Sequence, residues 1–244
     1  MIGFQPYEII EPNPELPGQN IVIVADHASN HVPDSIDLAV PTGVMEQHVA
    51  IDIGVASVSR LLCQMLGCGA VLARVSRLVI DFNREEDAPG LVPVASDGIT
   101  IPGNLDADAG ARIEGFYRPY HDAIDRTLGK LERPFILSLH SFTPALASRP
   151  EEQRPWDIGI LYNRDDRAAR IAIPMLGAAG MHVGDQLPYA GTLLNATMNR
   201  HAEAAARPYL GVEIRQDHVG DDTGAARMAS ILAPVLLACS NSLA

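Results

Sequence analysis

A series of short, largely apolar runs constrains this chain more than any other feature. Ile21 to Ala25, Ala70 to Ala73, Leu78 to Phe82, Phe135 to Leu139, Ile158 to Tyr162 and Leu210 to Ile214 are rich in aliphatic residues. They lack the polar alternation of a strand that faces water on one side, so they read as strands covered on both faces. Helical patterns lie between them. Thr42 can cap a helix running to about Leu66, with Val49, Ile53, Ala56, Leu61, Leu62 and Met65 inward and Gly67 as its stop. Asp106 can cap another, carrying Ile113, Phe116, Tyr117, Tyr120, Ile124, Leu128 and Leu131 at helical spacing, an aromatic stripe that reads as core. Asp166 to Gly177 and Asp222 to Cys239 complete the set. Such alternation predicts an α/β fold, a three-layer α/β/α sandwich on a mostly parallel sheet of about five or six strands. Residues 1–20, punctuated by Pro6, Pro12, Pro14, Pro17 and Gly18, read as an extended segment wandering over the surface, and residues 20–244 as one domain.

In open α/β sheets ligands bind beyond the carboxyl ends of the strands. Polar residues directly after the apolar runs are therefore the candidate site: Asp26-His27 after the first, Asn83-Arg84 after the third, His140-Ser141, Tyr162-Asn163, and Glu213 with Arg215 at the last. Two imidazoles at strand ends plus one carboxylate are the makings of an open zinc site, which keeps a position for water whose pKa falls to about 7. His27 and His140 are the histidine candidates. Asp52, four residues after His48 and so on the same face of the expected helix, is the preferred third ligand, with Asn30 and Asp26 as alternatives. Glu213 has no cationic partner in its apolar run and suits a general base. Arg84 offers a planar fork for a carboxylate, and Asn83 a further hydrogen bond; Arg215 and Arg74 are secondary candidates. Asn83-Arg84 reads equally as a turn followed by an ion pair with Glu85 or Glu86. Asn163 and His201, the latter in a polar stretch that could cover the site, complete the substrate-binding candidates.

The 244 residues include 18 Lys plus Arg against 30 Asp plus Glu, a net charge of −12. That field disfavours nucleic acid and anionic membrane partners and leaves a small molecule as the expected ligand, held by a local cluster of arginines. Three cysteines without CxxC spacing argue for buried free thiols. Met1 to Glu11 has no basic head or apolar stretch, and no run approaches the roughly 18 apolar residues of a membrane span, so a cytoplasmic location is expected. Gly-x-Ser-x-Gly, P-loop, dinucleotide and HExxH motifs are absent from the sequence.

The ordered set Ile23-Val24-Ala25-Asp26-His27-Ala28-Ser29-Asn30, His48-Val49-Ala50-Ile51-Asp52-Ile53-Gly54, Ser76 to Arg84, Leu139-His140-Ser141-Phe142-Thr143-Pro144 and Val212 to Asp217 resembles the N-formylglutamate amidohydrolase family from about residue 20 to 235. The resemblance implies a phosphorylase/hydrolase-like α/β/α fold similar to zinc carboxypeptidases and aspartoacylase-type deacylases. It further implies metal-binding histidines at His27 and His140, a carboxylate-holding pair at Asn83 and Arg84, a general base at Glu213 and a zinc ion (Zn2+). The relatives carry a His-x-x-Glu first motif where this chain has His27-Ala28-Ser29-Asn30. The expected activity is zinc-dependent hydrolysis of N-formyl-L-glutamate to formate and L-glutamate. Deacylation of another N-acyl amino acid or peptide, a 2-His-1-carboxylate iron oxygenase and a non-catalytic carboxylate binder are the other readings.

Overall fold

The computed structural model describes residues 4–244. Nine strands form, β1 (Tyr7–Ile10), β2 (Ile21–Ala25), β3 (Gly69–Ala73), β4 (Ala95–Ser96), β5 (Ile99–Thr100), β6 (Phe135–Phe142), β7 (Ile158–Leu161), β8 (Val183–Asp185) and β9 (Tyr209–Arg215), of which β4 and β5 make a separate hairpin. The other seven make one sheet in the order β1-β3-β2-β6-β9-β7-β8. Its centre, β3-β2-β6-β9, is parallel, while β1 pairs antiparallel with β3 and β7 antiparallel with β9. Every residue of β2, β3 and β6 is buried, as the unalternating runs require.

The helices are α1 (Val55–Leu66), α2 (Ala109–Arg112), α3 (Arg118–Leu128), α4 (Arg167–Ala178), α5 (Ala196–His201) and α6 (Asp222–Leu243). Helices α1, α4 and α6 cover one face of the sheet, where Ile21, Ile23, Leu137 and Val212 meet Leu62, Leu176 and Leu232. The opposite face, with Val22, Val24 and Ile136, packs against Tyr120 and Ile124 of α3, Met198 of α5 and the irregular segment through Val79 and Phe82. Three layers result. The 22-residue α6 is long and apolar enough to cross a bilayer by length and composition, but Leu232, Leu236 and Cys239 are spent on the core, packed against α1 and α4. Cys63, Cys68 and Cys239 are free and buried.

Four local expectations are corrected. Residues 7–10 do not wander; they add an edge strand, because Tyr7 to Ile10 pair with Ala73 to Ala70. Thr42 starts only a short 3-10 turn to Glu46, and α1 begins at Val55, so His48 and Asp52 do not share a helix face. Leu78 to Phe82 is buried but forms no strand. Side chains and turn carbonyls satisfy its backbone instead: Asn104 donates to the Leu78 carbonyl at 2.7 Å, Arg112 to the Val79 carbonyl at 2.7 Å, the Leu78 N–H goes to Ser76 Oγ at 3.2 Å, and the Val79 and Asp81 N–H groups go to the Ser76 and Leu91 carbonyls. The helix expected from Asp106 is capped by Asp108, which accepts from the Ala111 N–H, and a π turn at Ile113–Tyr117 joins α2 to α3.

Gly54 sets how the chain leaves Asp52. Its φ is +80°, and a Cβ there would lie 2.2 Å from the Val219 carbonyl oxygen, so both conformation and space demand glycine. Gly54→Ala is expected to destabilise the fold by about 1–3 kcal/mol, read as a lower urea midpoint with unchanged slope.

Candidate active site

Three strand ends and two loops bring the polar residues together. His27 follows β2 directly, while His140 on β6 and Glu213 on β9 are neighbours in register and so point to the same face. Asp52 arrives from the segment before α1, anchored by its backbone N–H on the His27 carbonyl at 3.0 Å. The strandless segment after β3 supplies Arg77, Asp81, Asn83 and Arg84. They line a cavity of about 180 Å3 together with His27, His48, Asp52, His140, Tyr189 and Glu213.

Asp52 is the hub. Its Oδ2 lies 3.3 Å from His27 Nδ1 and 2.9 Å from His140 Nδ1, and its Oδ1 accepts from Arg77 at 3.1 Å. Each imidazole turns its other nitrogen to a second carboxylate: His27 Nε2 is 2.7 Å from Asp81 Oδ1, and His140 Nε2 faces Asp26 Oδ2 at 3.4 Å. Burial alone would raise the Asp52 carboxyl, yet His27, His140 and Arg77 hold it well below the usual carboxylate range. Burial likewise opposes charge on His140, and Asp26 and Asp52 outweigh it and raise that imidazole well above its ordinary value. Burial pushes Glu213 up to about 7, with His140 pulling against it. Asp26, Asp52, Asp81 and Glu213 are all buried against one permanent cation, Arg77, so the cluster is built to take further positive charge.

A metal fits this donor set. One atom each of His27, Asp52 and His140 lie within 4.8 Å of one another. Ligands roughly 2.0–2.2 Å from a tetrahedral ion are on the order of 3.5 Å apart, close to the separations from Asp52. Metal-binding imidazoles pass their second N–H to a carboxylate. Asp81 receives that of His27, and Asp26 Oδ2 and His140 Nε2, both buried without a hydrogen-bond partner, face each other where the second would form.

Arg84 is half-exposed on the cavity with only Asp81 near its guanidinium, at 3.9 Å; Glu86 pairs with Arg118 instead. Asn83 is fixed by the Thr197 N–H on its Oδ1 at 3.1 Å. Other candidates lie elsewhere. Asn30 donates to the Met45 carbonyl. Asn163 donates to Asn199 and takes part in a network with Tyr209, away from the cavity. Arg215 shares the face of Glu213 but lies two residues further along, at the end of β9, where it pairs with Asp217 and Asp157. His201 is fully buried between His121 and Asp125, and Arg74 donates to the Gln5 carbonyl. Sequence reasoning missed Arg77, Asp81 and Tyr189. Arg77 and Asp81 stand four apart with opposite charge, a readable signal; nothing marked Tyr189, whose hydroxyl accepts from buried Arg154 at 2.8 Å.

With this geometry in place, comparison with known proteins is decisive for the family. The profile of the N-formylglutamate amidohydrolase family matches residues 19–219. The chain belongs to this family. Among solved structures, the gene product Atu2144 from Agrobacterium tumefaciens superposes with a TM-score of 0.90 at 28% identity, over 98% of this chain and 96% of that one. The N-formylglutamate amidohydrolase from Ralstonia eutropha JMP134 superposes with a TM-score of 0.68 at 23% identity, over 98% of each chain. No curated protein matches the chain. Family membership makes the chain a hydrolase of this group, with the mixed α/β sheet that the fold already displays.

Two outcomes follow for the buried histidines. Asp26→Asn keeps an oxygen for the Tyr120 hydroxyl, which Asp26 Oδ1 accepts at 2.8 Å, but replaces the Oδ2 acceptor facing His140 Nε2 with an amide NH2 donor. Affinity for an added divalent metal ion is expected to fall about 10–100-fold, by chelator competition. His121 is held neutral elsewhere: burial pushes its imidazole down to about 3, against about 6.5 unfolded. The unfolded chain therefore binds the extra proton between these values, and stability is lost as pH falls from about 6.5 towards 3, by up to about 1.4 kcal/mol per pH unit. His121→Phe should flatten the acid limb of a denaturation series.

Proposed function

We propose that this chain is a metal-dependent amidohydrolase that cleaves the linear amide of an N-acyl amino acid, with N-formyl-L-glutamate hydrolysed to formate and L-glutamate. The observation that carries this reading is the convergence in one cavity of the His27-Asp52-His140 donor set, the buried Glu213 carboxyl and the free guanidinium of Arg84. The donor set, two imidazoles and one carboxylate, matches three-ligand catalytic zinc sites. When bound between these residues, zinc supplies Lewis-acid polarisation of a carbonyl and an acidified water.

The protein's own groups do the rest. Arg84 takes a substrate carboxylate in its fork, and Asn83, whose carbonyl is already occupied by Thr197, turns its amide N–H groups to the same oxygens. Glu213, with a pKa raised to about 7 by burial, is poised for proton transfer near neutrality. It accepts the proton of the attacking water as the C–O bond forms, and returns it to the amide nitrogen as the C–N bond breaks. The acid and the free amine are the products, and Glu213 ends as it began.

Turnover of N-formylglutamate is expected to vanish on chelation and return with zinc; metal-free protein of full activity would remove the metal from the mechanism. Glu213→Gln should lower kcat by about 10²–10⁴ while metal content stays at the wild-type level. Arg84→Gln should lower kcat/KM about 10–100-fold, as expected for loss of a charge-assisted hydrogen bond, mainly through KM.

A further inference from the structure

His48 also lines the cavity. Its Nε2 lies 3.0 Å from Asp97 Oδ2. Asp97 is held with φ at +44°, and its carboxylate also accepts from the Ala147 N–H at 2.8 Å, the Ser148 N–H at 2.9 Å and the Ser148 hydroxyl. A carboxylate bonded by so many donors stays ionised and accepts only; those hydrogen bonds outweigh burial and hold it at about 2. His48 Nε2 must therefore carry the proton, and burial keeps the ring neutral. In a neutral imidazole the other nitrogen is then an acceptor. Nδ1 has no hydrogen-bond partner among the described residues and stays accessible on a ring that lines the cavity.

Apart from the Glu213 carboxylate, which the proposed reaction uses as its base, the other carboxylate and amide side-chain acceptors of the cavity are engaged. Asp52 takes both imidazoles and Arg77; Asp81 takes His27, Arg77 and the Asn83 N–H; Asn83 Oδ1 takes the Thr197 N–H. An N-acyl amino acid carries carboxylate and carbonyl oxygens, which accept, and one donor, its amide N–H. We propose that His48 Nδ1, its tautomer fixed by Asp97, accepts that N–H and makes the site selective for secondary over N-methylated amides. The inference rests on the amidohydrolase reading. His48 is then a substrate-binding residue, and Asp97 a positioning residue acting through it.

The test compares kcat/KM for N-formylglutamate and its N-methyl analogue in zinc-loaded wild type, His48→Gln, His48→Asn and Asp97→Asn. His48→Gln keeps an N–H for Asp97 but removes the Nδ1 acceptor. Its kcat/KM for N-formylglutamate should fall about five-fold, the worth of one neutral hydrogen bond, while the value for the N-methyl analogue holds, so the preference narrows by the same factor. Asp97→Asn should narrow it in the same direction, which a merely structural loss would not do. His48→Asn, which leaves an acceptor near the Nδ1 position, should keep the preference within about two-fold of wild type, and decides the matter should His48→Gln not fold. Equal losses on both substrates in His48→Gln, or a lost preference in His48→Asn, overturn the role of His48 alone. Wild type that hydrolyses neither substrate overturns the amidohydrolase reading and this inference with it.

Discussion

The Asp52 carboxylate ties the molecule's sheet to its chemistry. One side chain joins the end of β2 through His27, β6 through His140 and the N–H of Ser141, and the long excursion after β3 through Arg77. Removing one partner from such a buried set leaves an uncompensated charge, a loss of several kcal/mol, whereas the intact set contributes little net stability. The cluster is thus poorly explained as a device for stability alone. A divalent cation between the two Nδ1 atoms and Asp52 would offset the excess of buried carboxylate and let each imidazole give its second proton to Asp81 or Asp26, which already stand in place.

Much of this was legible in the sequence because strands buried on both faces have nothing polar to interrupt them. In Phe135 to Leu139 and Leu210 to Ile214 the first ionisable residues near the run's end, His140 and Glu213, mark the carboxyl ends of two interior strands. The same reasoning failed at Leu78 to Phe82, where an equally apolar run folds irregularly. Composition registers burial, but the partners of its backbone include side chains of Asn104 and Arg112, distant in sequence and invisible to periodicity. Asp52 was reached by a helical spacing that does not exist. It meets His27 because Gly54 turns the chain and the Asp52 N–H seeks the His27 carbonyl. His201 and Asn163 sit at polar positions whose hydrogen bonds close on other parts of the protein, a distinction that only packing reveals.

For the anionic substrate we propose, an acidic chain poses a conflict of sign that the cavity can resolve locally. The net charge of −12 opposes approach over long range. Within the cavity Arg77 is neutralised by Asp52 and Asp81, so it adds little attraction. Arg84, half-exposed at the cavity, has only the loose ion pair with Asp81 at 3.9 Å, whereas Arg154, buried behind Tyr189, has no carboxylate partner among the described residues and is held by the Thr143 carbonyl and the Tyr189 hydroxyl and ring. A guanidinium left without a counter-ion in a low-dielectric wall exerts a stronger short-range pull than a solvated one. Salt, with a Debye length of about 8 Å at physiological strength, screens the repulsive surface more than these two inner charges. On the proposed reading, the same arrangement that disfavours polyanions at the surface leaves room at the site for a single small anion.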